Sequence, residues 1–138
     1  MATKEELIDF FQKDFPQADF IIEHVGEKSA TIRKEISHDH LRPGGTVSEP
    51  VLMEMADAAL YLAILGEIGL EALAVTTNLN INFLRKPSAN KDIVARCNLI
   101  KLGKSLATGE IAIYSDGTDE PVAHAVGTYS IPRSSGLQ

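Results

Sequence analysis

An acidic residue, Asp57, lies in the middle of a mostly apolar stretch of helix length that runs from Pro50 to Leu65. A carboxylate in such surroundings is costly to desolvate unless it is paired or used. Glu54 lies three residues before Asp57 and Tyr61 four residues after it, so the three side chains project from one face of a helix. A carboxylate placed in this way can attack a carbonyl carbon or activate a water molecule, and we expect chemistry here.

A loop rich in glycine and proline, residues 42–48, leads directly into this stretch. Pro50 suits the first turn of a helix, because its missing N–H would have had no partner there. Ser48 or Glu49 is then expected to be the N-cap. The start of a helix offers free N–H groups and a favourable dipole to a developing oxyanion. Since Pro50 has no N–H, the expected donors are Glu49, Val51 or both.

Hydrophobic periodicity predicts two helices and six strands. A short amphipathic helix is expected at about 3–15, with Thr3 and Glu6 as a capping box, and the apolar helix at about 50–67. The strands are expected at about 18–25, 28–36, 72–84, 93–102, 105–115 and 121–131, the last four as a meander. This order predicts an α+β fold in which an antiparallel sheet wraps around a long central helix, as one domain over residues 1–138. The open sheet edge and the remaining helix face would need a second subunit.

The strand at about 72–84 has the clearest alternation in the chain. One face is expected to carry Val75, Thr77, Leu79, Ile81 and Phe83, and the other Thr76, Asn78, Asn80 and Asn82. Asparagine is disfavoured in strands, so three asparagines on one face indicate solvent, a hydrogen-bonded interface or a ligand.

The composition excludes several classes of function. A net charge of −6, with no basic run longer than two residues, argues against nucleic-acid binding. The longest apolar run is too short to span a bilayer, and no leader segment is recognisable. The lone Cys97 excludes an intrachain disulfide framework and favours a reduced, cytoplasmic setting. The four histidines lack the spacing of metal ligands, so neither a metal nor a cofactor is expected.

Three motifs carry a resemblance to a known family: residues 43–48 (PGGTVS), 55–59 (MADAA) and 80–87 (NINFLRKP). Together with the order of elements, they resemble the hotdog-fold acyl-CoA thioesterases, in particular the phenylacetate-degradation (PaaI-like) branch. The resemblance implies a hotdog fold, an acyl-CoA substrate, and Asp57 as the catalytic carboxylate. CoA would enter as part of this substrate and not as a cofactor.

The chain departs from the family pattern at the helix entry. Arg42 stands where the family usually has Asn, and Ser48-Glu49 stands where it has His-Gly. Glu49 keeps the backbone N–H that the family's glycine offers to the thioester oxygen. Its carboxylate would either weaken that oxyanion site or point away to solvent. Ser48 could hold a water molecule, although a helix cap alone explains it.

The resemblance also implies further site residues and a homo-oligomer, a dimer or a dimer of dimers. The sites would lie between subunits, with Thr77 and Asn78 facing the acid across the interface. Glu54 is interpreted as a second acid, a gate or a rim residue in an inter-subunit ion pair. The remaining substrate contacts are expected from Arg42, Gly45, Tyr61, Arg85, Lys86 and Lys104, with Lys101 and Arg133 as weaker candidates for the CoA phosphates. The predicted function is hydrolysis of a short, medium or aromatic acyl-CoA. The alternative is an acyl-CoA binding protein without turnover.

Overall fold

The structure, a computed structural model, describes residues 1–132 of the chain. Its elements are α1 (Lys4–Asp14), β1 (Ile21–Gly26), β2 (Ser29–Lys34), a 3-10 turn (His38–His40), α2 (Glu49–Ile68), β3 (Val75–Phe83), β4 (Ile93–Leu102), β5 (Leu106–Ser115) and β6 (Ala123–Ser130). Every predicted element is present, and the boundaries differ by a few residues at most.

Helix α1 begins at the predicted capping box. The Thr3 hydroxyl accepts a hydrogen bond from the Glu6 N–H at 3.1 Å, and the Glu6 carboxylate accepts one from the Thr3 N–H at 3.0 Å. Leu7 and Phe11 are its buried residues, and the Phe11 ring packs edge-on against Tyr61 of α2. The two satisfied N–H groups fix the start of the helix, and the Phe11 contact fixes its face.

Helix α2 is the centre of the molecule. Ten of its residues are buried, on all sides of the helix in its second half: Leu52, Met55, Ala56, Ala59, Leu60, Leu62, Ala63, Ile64, Leu65 and Gly66. A helix that is apolar all round must be covered all round, and the sheet wraps it as expected of a hotdog fold. Within residues 1–132, no helix combines the length and the apolar character needed to cross a bilayer.

The six strands form one antiparallel sheet in the order β1-β2-β4-β5-β6-β3. The predicted meander of four strands is therefore wrong for β3, which pairs with β6 and not with β4. The chain leaves β2, crosses the sheet through α2 and returns at the far edge as β3. The segment between β3 and β4 then carries it back beside β2. As a result β3 is an edge strand.

Two glycines let the sheet approach α2 closely. Gly109 of β5 and Gly127 of β6 are paired across the ladder, and both lie against Leu60 of α2. A Cβ atom at either position would lie 2.7 Å from a Leu60 methyl group. The missing side chains therefore make a groove that Leu60 fills.

Candidate active site

Asp57 is half-buried on α2, and its two carboxylate oxygens have different surroundings. The Oδ1 atom accepts a hydrogen bond from the Thr76 hydroxyl at 2.6 Å and one from the Tyr129 hydroxyl at 3.0 Å. Among residues 1–132, no side chain or backbone group donates a hydrogen bond to Oδ2. The acid is therefore held by one oxygen and free at the other.

An irregularity in β3 brings Thr76 to this site. The register against β6 shifts between Thr76 and Asn78, so Thr77 is an extra residue in the strand. Thr76 thus faces α2 on the same side as Leu79, which packs toward the core. The predicted face assignment is wrong for Thr76 because a bulge resets the alternation of side chains.

The Tyr129 hydroxyl is buried beside the Asp57 carboxylate. Only 4% of Tyr129 is exposed, and its ring stacks on that of Tyr61, with centroids 5.6 Å apart. Burial, assisted by the nearby Asp57 charge, raises the pKa of Tyr129 well above its usual value, although a hydrogen bond with Thr76 opposes the shift. Burial also raises the pKa of Tyr61, whose hydroxyl donates to the Glu71 carbonyl oxygen at 3.0 Å. Both phenols remain neutral donors across the physiological pH range.

A cleft of about 530 Å³ opens beside Asp57, between α1 and the sheet edge. Aromatic and small apolar side chains make most of its wall, with one acid on α1: Phe10, Phe11, Asp14, Phe15, Tyr61, Ala72, Ala74, Val75 and Tyr129. On the other side of Asp57 lies a more open groove formed by Pro50, Met53, Glu54, Thr76 and Leu79. Asp57 is thus reachable from solvent, and Tyr61 and Glu54 share its face of α2, as predicted.

Glu54 has a partner within its own chain. Its carboxylate lies 3.4 Å from the Nζ of Lys34, whose side chain is 5% exposed and which also donates to the Asp19 carbonyl oxygen at 2.8 Å. The ammonium group is a buried charge that needs these oxygens. An intrachain ion pair thus already engages the carboxylate that we expected to pair between subunits.

The start of α2 leaves one backbone donor free. The Ser48 carbonyl oxygen accepts from the Val51 N–H at 3.1 Å, and Pro50 has no N–H. Among the described residues, the Glu49 N–H has no protein acceptor. Ser48 occupies the N-cap position as predicted, but its side chain makes no capping hydrogen bond. Of the two expected oxyanion donors, Glu49 is therefore the available one.

The Glu49 side chain turns toward the preceding loop. Its carboxylate lies 3.3 Å from the Nη1 of Arg42, and each side chain is about half exposed. Gly44 and Gly45 have φ angles of 101° and 81°, a left-handed backbone that favours glycine and that turns Arg42 toward Glu49. The two replacements relative to the family pattern, Arg42 and Glu49, therefore compensate each other's charge.

The basic residues proposed for CoA do not meet within one chain. Lys86 and Arg85 line a cleft of about 280 Å³ with Arg42 and Glu49, near the start of α2. The Arg85 guanidinium already donates to the Pro121 carbonyl oxygen at 2.7 Å and pairs with Glu120 at 3.2 Å.

Lys104 lines a separate cavity with Ile68 at the other end of α2. Lys101, at the end of β4, is exposed, and Arg133 lies outside the described residues. Thr77 donates to the Thr128 carbonyl oxygen at 3.2 Å, and Asn78 is exposed on the edge strand, so neither contacts Asp57 of its own chain.

The sequence interpretation missed Thr76, Tyr129 and the aromatic residues of α1. Tyr129 could have been found, because the last strand places it on the same face as the small residues 123, 125 and 127, and a buried phenol needs a hydrogen-bond partner. No comparable signal pointed to Thr76, because the alternation of apolar and polar residues in this strand does not reveal a bulge.

Two further kinds of site find no support in the described part of the chain. Within residues 1–132, no group of three or more His, Cys, Asp or Glu side chains is arranged to hold a metal ion. Cys97 is buried, and this burial raises the pKa of its thiol to about 12, so it is not a nucleophile at neutral pH.

Comparison with known proteins gives a consistent set of similarities. The family described as the thioesterase superfamily matches residues 44–122. A crystal structure of a candidate thioesterase from a Silicibacter species matches with a TM-score of 0.86 and 42% identity, over 94% of this chain and 92% of that chain. No curated protein sequence matches at a significant level.

Two more distant structures share the fold. The PaaI protein from the phenylacetic acid degradation operon of E. coli matches with a TM-score of 0.74 and 22% identity, over 92% of each chain. A thioesterase from Haemophilus influenzae matches with a TM-score of 0.81 and 21% identity, over 96% of this chain and 92% of that chain.

Proposed function

Because the chain belongs to the thioesterase superfamily and has its hotdog fold, we propose that it hydrolyses an acyl-CoA thioester to a free acid and CoA. The acyl group would be short, medium-length or aromatic, and CoA would enter as part of the substrate. The observation that carries the proposal is the Asp57 carboxylate, which is fixed at Oδ1, free at Oδ2 and open to an apolar cleft. A CoA substrate and a lone buried thiol fit a reduced, cytoplasmic setting.

Asp57 can act in either of two ways. As a base, it takes a proton from water while the water oxygen attacks the thioester carbonyl carbon. The C–S bond then breaks, and the proton returns to the leaving sulfur. As a nucleophile, Asp57 itself attacks the carbonyl carbon and expels the thiolate, and water then hydrolyses the resulting anhydride. Both routes yield the same acid and free CoA thiol.

The oxyanion donor for the same carbonyl would come from a second copy of the chain. Glu49 precedes Asp57 by eight residues on one helix, which at about 1.5 Å per residue separates their backbones by roughly 12 Å. One carbonyl group cannot lie about 3 Å from both the carboxylate and the N–H within one chain. This separation supports a dimer or a dimer of dimers in which the Glu49 N–H of one protomer and Asp57 of its partner form one site.

The same two-chain arrangement would place the basic residues near the CoA part of the substrate. Arg42, Gly45, Arg85 and Lys86 surround or adjoin Glu49, so they would lie near the CoA part of a substrate whose carbonyl meets that N–H. Lysine and arginine bind phosphate oxygens well. Thr77 and Asn78 would face Asp57 from across the interface, as the family resemblance implies, and Lys104 would be a further contact for CoA.

The proposal is tested by assaying the wild-type protein and one variant with a panel of thioesters. Asp57→Asn keeps the side-chain shape but removes the charge, and we expect release of free CoA to fall by at least about a hundredfold, the range typical of general-base catalysis. A thiol reagent measures the release, and circular dichroism checks the fold. Asp119→Asn, a change of the same kind in an exposed turn, is the matched control.

The binding-only alternative gives a different result in the same experiment. Calorimetry would then record binding of an acyl-CoA to the wild-type protein while no free thiol formed from any member of the panel. Full turnover by Asp57→Asn would instead show that the reaction takes place without this carboxylate. The Arg42–Glu49 ion pair argues against the alternative, because it draws the Glu49 carboxylate toward the loop.

A further inference from the structure

We propose that Tyr129 is a positioning residue that, with Thr76, holds Oδ1 of Asp57 and so reserves Oδ2 as the reacting oxygen. This inference rests on the proposed function and specifies which atom of the carboxylate does the chemistry. It also gives a role to a buried tyrosine that the sequence interpretation did not include in the site.

The donors are distributed unequally over the carboxylate. An ionised carboxylate has two oxygens and about four acceptor sites. Both hydroxyl donors, at 2.6 and 3.0 Å, reach Oδ1, and none from residues 1–132 reaches Oδ2. Two donors fix the rotation of the side chain and satisfy the oxygen that lies toward β6. Within residues 1–132, Oδ2 is therefore the carboxylate oxygen that is left without a protein donor, on a residue that lines both the cleft and the groove.

The buried ring of Tyr129 directs its hydroxyl at Asp57. The ring is stacked at an interplanar angle of 20° on Tyr61. Within the described part of the chain, the hydroxyl donates to Asp57, to Oδ1 at 3.0 Å and to the backbone oxygen at 3.4 Å, and it also has a hydrogen bond with Thr76, the other residue that holds Oδ1. A rigid phenol whose partners are Asp57 and the second donor orients that carboxylate.

The Thr76 and Tyr129 hydroxyls keep their hydrogen bonds to Oδ1 in both reaction routes. If Oδ2 takes a proton from water, Oδ1 becomes the carbonyl oxygen of a neutral acid and still accepts from both donors. If Oδ2 bonds to the acyl carbon and the C–S bond breaks, Oδ1 becomes the carbonyl oxygen of the anhydride. In both cases the donors stay on Oδ1, so no reorganisation is needed during the step.

Tyr129→Phe removes one donor and leaves the stacked ring. With one donor left, the carboxylate can turn away from the geometry that the reaction requires. Because the variant keeps the ring that lines the cleft, we expect kcat at neutral pH to fall about tenfold or more while KM stays within about twofold.

Further variants separate positioning from packing. Thr76→Val, which removes the second donor, should lower kcat in the same way, and Thr76→Ser, which keeps a hydroxyl, should restore it. Tyr114→Phe is the matched control, because its ring lies 5.0 Å from the Arg96 guanidinium, away from Asp57. We expect Tyr114→Phe to leave kcat and KM at their wild-type values.

The outcomes distinguish this inference from the proposed function. If the wild-type protein hydrolyses thioesters and Tyr129→Phe keeps its kcat, the positioning role is wrong and the function stands. A folded Tyr129→Phe protein whose thermal stability falls while kcat stays unchanged also overturns it, since packing alone then explains Tyr129. If Tyr129→Phe does not fold, the pair Thr76→Val and Thr76→Ser decides, and an unchanged kcat in Thr76→Val rejects the inference.

Discussion

The Asp57 carboxylate has one oxygen that protein donors hold and one that they do not, within the described part of the chain. Two hydroxyls hold Oδ1, and the neighbouring cleft has mostly apolar and aromatic walls, which under the proposed function would exclude water around the acyl group. An acid in this position needs no second acid to orient it. Glu54, the other carboxylate on the same face, is engaged by the buried Lys34 ammonium and lines the open groove on the other side of Asp57.

The Arg42–Glu49 ion pair is predicted to protect the oxyanion site from a negative charge. Arg42→Ala would leave the Glu49 carboxylate uncompensated next to the N–H that we propose as the oxyanion donor, and like charges disfavour each other. We expect kcat to fall several-fold in Arg42→Ala and to recover when Glu49→Ala is added. The test is a double-mutant cycle on kcat, measured at low salt, where an exposed charge is screened least. An unchanged kcat in Arg42→Ala would refute this role.

The aromatic face of α1 makes an element-level contribution to the site. Thr3 and Glu6 fix the start of this helix, and Phe11 packs against Tyr61, which stacks on Tyr129. A continuous set of ring contacts therefore joins α1 to the residue that holds Asp57. The same helix closes one wall of the cleft, so under the proposed function its aromatic side chains would help to select the acyl group.

The close approach of the sheet to α2 is predicted to depend on Gly127 and Gly109. A Cβ added to Gly127 would lie 2.7 Å from Leu60, which is closer than real side chains allow, and a tight 3.0 Å from Leu79. We expect Gly127→Ala to lower the free energy of unfolding by about 1–3 kcal/mol, the usual cost of overpacking. Urea denaturation measures this change.

Two companion variants make the Gly127 experiment specific. Adding Leu60→Val should recover part of the loss, because it removes a methylene at the point of contact. Val126→Ala, an exposed neighbour on β6, should stay within about 0.5 kcal/mol of wild type. A Gly127→Ala protein as stable as the wild type would show that α2 does not constrain the sheet at this point.

The most prominent feature of the molecule as a whole is the sheet edge formed by β3. Strand β3 pairs on one side only, and large apolar side chains are exposed along it and beside it: Met53, Val75, Phe83 and Leu84. An unpaired edge with exposed apolar residues is a template for association. The Asp57 groove lies between Met53 and this edge, so an association here would cover the site with a second chain.

We predict that Met53→Asp weakens assembly and activity together. An aspartate at this position would place a charge in the expected interface, where it has no partner. Analytical ultracentrifugation should show a shift toward monomer, and CoA release should fall in parallel, while circular dichroism remains that of the wild type. Ile100→Asp is the control, since Ile100 is 62% exposed on β4, away from β3. A wild-type protein that is monomeric and fully active would contradict the two-chain site.

The sequence by itself determined the elements, the α+β class and the position of the acid, because these follow from local signals. The capping box at Thr3 and Glu6, the uniformly apolar α2 and the alternation of the strands each span a few residues, and Asp57 is conspicuous among apolar neighbours. The three motifs at residues 43–48, 55–59 and 80–87, with the order of elements, indicated the family.

Only the tertiary structure decided what surrounds Asp57. Its partners, Thr76 and Tyr129, are 19 and 72 residues away in the chain. Thr76 lies beside Tyr129 because β3 pairs with β6 instead of β4, and a bulge turns Thr76 toward Asp57, against the alternation predicted for β3. Strand order and register arise from the packing of the whole sheet around α2, and no short stretch of sequence contains that information.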